Sequence, residues 1–234
     1  MTSATINEAL SLIKTKEDPA IARARRAKAG YLFMKRTFDI LFSLFGIIVL
    51  SWLLIIISII SLITTHGRPF YADVRVGMSG RDIKIFKFRT MYNDAESNAK
   101  KYLNRRQQWQ WRKERKVEND PRVTSFGRFL RKTSLDELPQ LFNILFGSMS
   151  LVGVRPMTRE ELQKNYTTEQ FEIICTGRPG LTGLWQVLGR NDITFKSGKR
   201  QRLDVHYYQK RGFRYDAKLM FLTIPAVLSQ KGAM

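Results

Sequence analysis

The densest group of chemically capable side chains lies in Arg128-Phe-Leu-Arg-Lys-Thr-Ser-Leu-Asp-Glu-Leu-Pro139. Asp136 and Glu137 are adjacent, Arg131 and Lys132 precede them by about a turn, and Pro139 follows. Ser134 and Glu137 have the S-x-x-E spacing of a capping box, which predicts a helix beginning here. On that reading the two acids do no more than satisfy a helix start. A second reading gives them chemistry. A helix N-terminus and neighbouring cations hold both carboxylates ionised, and a divalent cation relieves their mutual repulsion. Side chains adjacent on a helix diverge by about 100°, so one acid can face phosphorus while the other holds the metal. Pro139 removes a backbone donor from that first turn, an irregularity that simple capping does not require. On these residues alone, capping and catalysis stand level.

Three other segments offer anion-binding parts. Lys84, Lys87 and Arg89 lie close together on one strand-like stretch, Asp120-Pro-Arg-Val-Thr124 presents Arg122 from a turn, and Ser150-Leu-Val-Gly-Val-Arg-Pro156 delivers Arg155 from a Gly/Pro-bounded turn. Arginine grips phosphate with two parallel hydrogen bonds. Any one of these side chains is ordinarily a surface charge; together they suggest a diphosphate site.

The elements that must position these groups begin with a greasy run. Ile40 to Ile63 reads ILFSLFGIIVLSWLLIIISIISLI without a charge, and as a helix it would measure about 36 Å, longer than a ~30 Å hydrocarbon core. It starts too late and runs too long for a cleaved signal peptide, so it is expected in the membrane. Arg23, Arg25, Arg26, Lys28, Lys35 and Arg36 precede it, and Arg68, Arg75, Arg81, Lys84 and Lys87 follow. Both flanks therefore prefer the cytoplasm, which favours a helix that enters, breaks near Ser51 and returns. A Ser51 hydroxyl can satisfy a carbonyl freed by that break.

Elsewhere, Arg68 to Gly77 and Asp82 to Met91 read as strands around a Gly77–Gly80 turn. Asp94 to Glu118, with Trp109 and Trp111, reads as a mobile amphipathic helix. Leu141–Leu151 and Leu219–Leu228 are apolar but too short to span; interfacial placement and core placement both fit them. The 234 residues carry 40 Lys+Arg against 20 Asp+Glu, a net charge of +20, which keeps the chain near nucleic acid, anionic lipid or phosphorylated substrates. The single cysteine, Cys175, excludes an internal disulfide and reads as a small core residue.

The combination of TSLDELPQL (Thr133–Leu141), MSLVG-x-RP (Met149–Pro156), IFKFRTM (Ile85–Met91), DPRVT, RPGLTGLWQV (Arg178–Val187) and the closing KGAM resembles the monotopic phosphoglycosyl transferases, bacterial sugar transferases with one membrane-embedded helix. The match runs from about Met34 onward. What the resemblance implies is specific. Asp136 falls on the nucleophile that attacks a UDP-sugar, expels UMP and carries the phosphosugar covalently. Glu137 falls on the Mg2+ ligand; Arg131 and Arg155 fall on arginines around the diphosphate, with Lys87, Arg89, Arg122 and Arg190 as further substrate-binding candidates. Undecaprenyl phosphate then takes the phosphosugar, beginning capsule, exopolysaccharide or O-antigen synthesis. The sequence departs from the pattern at Ser51-Trp52, where Ser-Pro is usual, at Val154, Leu188 and Lys210–Arg214. His66 and His206 match no ligand role.

The resulting expectation is an α+β protein in three parts. A basic lead-in covers 1–33, a membrane-inserted and re-entrant helix 34–67, and a cytosolic, membrane-apposed catalytic domain with interfacial amphipathic helices and a small β-sheet 68–234. Implied partners are a UDP-sugar (glucose or galactose), undecaprenyl phosphate and the lipid bilayer, with a homodimer open and no nucleic acid. The location is the cytoplasmic face of the bacterial inner membrane. Two other classes compete: a catalytically silent membrane scaffold of the same pathway, and a membrane-tethered nucleic-acid binder motivated by charge and the two tryptophans.

Overall fold

The computed structural model describes residues 21–22, 27–114, 117, 119–189 and 195–228. Arg190, Glu118, the closing KGAM and most of the basic lead-in lie outside these residues. The apolar run folds as two helices, α1 (Ala29–Val49) and α2 (Ser51–Thr65), bent by 64° at Leu50. Among the described residues no single helix is long and apolar enough to cross a membrane; the bent pair passes that test together, by length and composition. Leu41, Phe45, Ile48, Trp52, Ile55 and Ile63 are exposed along it, a continuous apolar surface of the kind that marks contact with lipid or protein.

The break sits where expected but by other means. Leu50 takes φ −94° and ψ 8°, its N–H still reaches Gly46 O at 2.9 Å, and Leu54 N reaches Leu50 O at 2.9 Å. In α1 and α2 the hydroxyls that return to i−4 carbonyls belong to Ser43, Ser58, Thr64 and Thr65, at 2.7–2.8 Å; the Ser51 hydroxyl makes no hydrogen bond among the described residues, so its expected capping of the break is not realised.

Beyond the helices, β1 (Phe70–Val76) and β2 (Asp82–Phe88) form an antiparallel hairpin in register Phe70↔Phe88 to Val76↔Asp82, closed through Gly77 N to Arg81 O at 2.7 Å. The expected single helix over the charged insertion is two: α3 (Ala99–Tyr102) and α4 (Arg105–Glu114). Asn104 interrupts them, accepting from Gln107 N at 2.8 Å while Gln107 Oε1 accepts from Asn104 N at 3.1 Å. That reciprocal pair restarts the helix as a capping box does. Trp111 packs on Ala99, Leu103 and Val117.

The remaining elements are α5 (Ser125–Thr133), a 3-10 turn (Leu135–Glu137), α6 (Gln140–Phe146), β3 (Ser150–Val152), α7 (Arg159–Asn165), α8 (Thr168–Ile174), β4 (Gly180–Thr182), α9 (Leu184–Gly189), α10 (Lys199–Lys210) and α11 (Phe213–Leu228). β3 and β4 pair in parallel. This mixture of many helices and two small sheets agrees with the α+β expectation. The main core gathers Ile85, Leu141, Ile144, Met149, Leu151, Tyr207 and Leu219. A second core joins Leu54 and Ile57 of α2 to Phe88 and Leu130. Leu141–Leu151 is thereby core, apart from the exposed Phe146, whereas α11 is divided between buried Leu219 and exposed Phe221 and Ile224.

Candidate active site

The two acids sit in a single 3-10 turn rather than at the start of an α-helix. Ser134 is the left-handed C-cap of α5 (φ 58°), its side chain caps nothing, and Asp136 and Glu137 occupy the 3-10 turn that follows. α6 starts only after Pro139, which has helical φ −61° and needs no N–H there. The capping expectation is overturned: Ser134 ends α5 in a left-handed conformation, and its hydroxyl makes no cap bond to the turn that follows. What remains for the acids is a tight, strained-entry turn between two helices.

Three cations converge on it. Glu137 Oε1 accepts from Lys87 Nζ at 3.0 Å and from Arg155 Nη2 at 2.8 Å. Burial alone would raise the Glu137 carboxyl, yet Arg155 and Lys87 outweigh it and hold the group at about 2. Its neighbour has the opposite fate. Burial, reinforced by the negative Glu137 alongside, pushes Asp136 up to about 6 despite Lys87, Arg131 and Arg155 nearby. Among the described residues Asp136 accepts no hydrogen bond. One carboxylate is locked by two direct ion pairs; the other is bare and the more basic. Environments that split a pair of acids in this way assign them different chemical roles.

Arg131 is aimed by its surroundings. Its Nε donates to Thr90 Oγ1 at 3.0 Å, and burial lowers the guanidinium while Asp136 and Asp120 raise it. α5 reaches this position because Gly127 meets the Thr90 carbonyl; an added Cβ would lie 2.1 Å from that oxygen. The start of α5 is thus packed backbone to backbone against Thr90, just past the hairpin.

The other candidates are placed as follows. Lys87 is in the centre, paired to Glu137. Lys84, three residues away on β2, is exposed, as an odd spacing on a strand dictates. Arg89 lies just past β2, donating to Arg68 O at 2.9 Å and sitting 5.9 Å over the Tyr71 ring. Arg122 is buried, with Nη2 2.7 Å from Asp120 Oδ2 and its guanidinium 5.0 Å over Trp111; its charge is one of those that lower the Arg131 guanidinium. Residues that sequence reasoning passed over include Thr90 and Asn143. Asn143 Oδ1 accepts from Phe86 N at 2.8 Å and its Nδ2 donates to Lys84 O at 2.6 Å, fixing β2 on either side of Ile85, two residues before Lys87. Its signal was an amide in the middle of a largely apolar helix.

Among the described residues no three His, Cys, Asp or Glu side chains gather as a metal cluster. The acid pair still fits Mg2+, which takes one or two carboxylates and completes its shell with water and substrate phosphate. Glu137 Oε2 and both Asp136 oxygens have no hydrogen-bond partner among the described residues, leaving hard donors open.

Residues 30–230 match the family model described as bacterial sugar transferase. The exopolysaccharide production protein ExoY of Rhizobium meliloti is 40% identical over 201 residues, covering 85% of this chain and 87% of its own length. Undecaprenyl-phosphate galactose phosphotransferase of Salmonella typhimurium is 40% identical over 210 residues, 88% of this chain and 43% of that protein. UDP-glucose:undecaprenyl-phosphate glucose-1-phosphate transferase of Escherichia coli is 34% identical over 195 residues, 82% of this chain and 39% of that one.

Proposed function

The chain belongs to the bacterial sugar transferase family, and from that premise we propose that it moves a hexose-1-phosphate from a UDP-sugar to undecaprenyl phosphate through a covalent phosphosugar on Asp136. The observation that carries the assignment is geometric: Glu137 Oε1 is held by Lys87 and Arg155, whereas the adjacent Asp136 carboxylate has no hydrogen-bond partner among the described residues. A carboxylate not engaged by ion pairs is the one with oxygens open to attack phosphorus. In the first step Asp136 attacks the β-phosphorus, the bond from that phosphorus to the bridging oxygen breaks, and UMP leaves with the electron pair. In the second, an oxygen of undecaprenyl phosphate attacks the same phosphorus. The Asp136 carboxylate is released and the diphosphate-linked lipid sugar forms.

Phosphoryl transfer needs positioning and charge neutralisation more than bond-making groups. Arg131 beside Asp136 and Arg155 beside Glu137 would neutralise the diphosphate. Lys87 holds Glu137 anionic and oriented. Glu137, with Asp136 adjacent, would hold Mg2+, which when bound supplies further positive charge for the diphosphate. The relatives' names divide between galactose and glucose, so a neutral hexose is the substrate class proposed.

The α1–α2 pair is proposed as a re-entrant insertion on the cytoplasmic side. Support comes from its exposed apolar surface, and from both ends attaching to one body: Arg36 bonds α6 carbonyls, and Thr65 O accepts from Asn93 N at 3.0 Å. A helix pair tied at both ends to the same domain has no means of putting those ends on opposite sides of a bilayer. In a Cys175→Ala background, cysteines introduced at Lys28 and His66 should react with an impermeant reagent from the same membrane side; opposite sides would sink the re-entrant reading.

The decisive experiment for the chemistry is Asp136→Asn assayed with UDP-glucose and UDP-galactose. UMP release should fall by about a thousandfold or more, and the phosphosugar adduct seen by intact mass in the wild type should vanish. Retained turnover or adduct in that variant removes Asp136 as nucleophile.

A further inference from the structure

α1 contains one carboxylate, Asp39, and it is 2% exposed. An ionisable side chain buried where a helix enters apolar surroundings is costly and is retained for a purpose. Its Oδ1 accepts from Leu151 N at 3.0 Å and from Ser150 Oγ at 3.1 Å. Both donors belong to β3, whose continuation is fixed residue by residue. Gly153 N donates to Thr182 O at 2.9 Å and Gly180 N donates to Val154 O at 2.8 Å. No slack exists in that track, because a Cβ at Gly180 would come within 2.0 Å of Gly153 N. The next residue is Arg155, which grips Glu137.

Arg36, one turn earlier on the same face of α1, holds the other half of that pair. Its Nη1 and Nη2 donate to the Ile144 and Leu145 carbonyls at 2.6 and 2.8 Å, capping the C-terminus of α6 with positive charge. α6 follows Glu137 after Leu138 and Pro139. One turn of the apolar helix therefore grips both segments whose side chains meet at Glu137.

We propose that Asp39 is a positioning residue of the reaction centre, setting through β3 where Arg155 meets Glu137. The first limb of the apolar helix is on this view part of the catalytic scaffold as well as an anchor. The inference rests on the proposed transfer reaction, so UMP release by the wild-type chain is its control.

The test is a double-mutant cycle on the full chain in lipid nanodiscs, reading UMP release from UDP-glucose and UDP-galactose. Asp39→Ala should lower kcat by about 10- to 100-fold, the scale of a misplaced catalytic group. Asp39→Asn keeps one oxygen to accept both bonds and should recover most of that loss. In an Arg155→Lys background, Asp39→Ala should cost no more than about twofold further, because coupled residues are not additive. An undiminished kcat in Asp39→Ala overturns the proposal, and so does an equal loss in both backgrounds. Should Asp39→Ala fail to fold, Ser150→Ala replaces it: a loss of a few-fold that disappears with Arg155→Lys supports the proposal, and no loss or an additive one overturns it. A wild-type chain releasing no UMP from either sugar overturns the transfer reaction and this inference with it; UMP release with an additive cycle overturns the inference alone.

Discussion

The two limbs of the bent helix are held in different ways. α1 is stitched to the domain by polar side chains. Asp216 accepts from Tyr31 at 2.9 Å, Lys35 at 2.6 Å and Tyr207 at 2.9 Å, and Arg36 and Asp39 add the contacts to α6 and β3. α2 has almost none of this. Its buried side chains are Leu54, Ile57, Ser61 and Thr65, and it meets the domain through a small apolar cluster with Phe88 and Leu130. Directional bonds fix a helix in angle and register, whereas apolar contact fixes only proximity. The difference indicates that α1 sets geometry and α2 supplies attachment.

That contrast can be tried in order of expected effect, using unfolding midpoints of the detergent-solubilised protein. Asp216→Ala strands Lys35, Tyr31 and Tyr207 and should cost about 3–5 kcal/mol, the penalty for removing one partner of a buried ion pair. Ile57→Ala, which opens a cavity under α2, should cost about 2–4 kcal/mol. If the second loss exceeds the first, α2 rather than α1 carries the fixed geometry. Gly46→Leu sharpens the comparison: a Cβ there already lies 3.3 Å from Leu141 Cδ1, so the larger side chain should push α1 from α6 and cost about 1–3 kcal/mol. Ile55→Ser, on the exposed face of α2, should change folding by less than about 0.5 kcal/mol while reducing co-flotation with liposomes. An Ile55→Ser protein that floats like the wild type would show that this face is not in lipid.

Much of this was readable from residues. An uninterrupted apolar run with basic flanks has few folded outcomes, and the Gly77–Gly80 turn between alternating segments specified the hairpin locally. The acid pair was identifiable as adjacent carboxylates among cations, although its backbone was misread. S-x-x-E has the same letters whether serine starts a helix or ends the preceding one, and the choice falls to the left-handed turn at Ser134. Pairings across long separations were hidden for a different reason. Lys87 meets Glu137 50 residues away and Asp39 meets Leu151 112 residues away, distances at which periodicity and propensity carry no information. Arg122 was visible as a turn arginine; its pairing with Asp120 two residues away is local, whereas the Trp111 ring lying 5.0 Å from its guanidinium is a packing event the local sequence does not show.

Asp216 also dictates a timetable. It bonds Lys35 across 181 positions of the chain, so the apolar helix leaves the ribosome long before the carboxylate that secures it has been synthesised. On the proposed re-entrant insertion, the nascent segment would sample depth and tilt in the bilayer during that interval, and closure at Asp216 would end the search. Folding that joins distant ends late is slow and leaves exposed surface meanwhile; on the proposed insertion, lipid would shelter that surface until translation has passed the last helix.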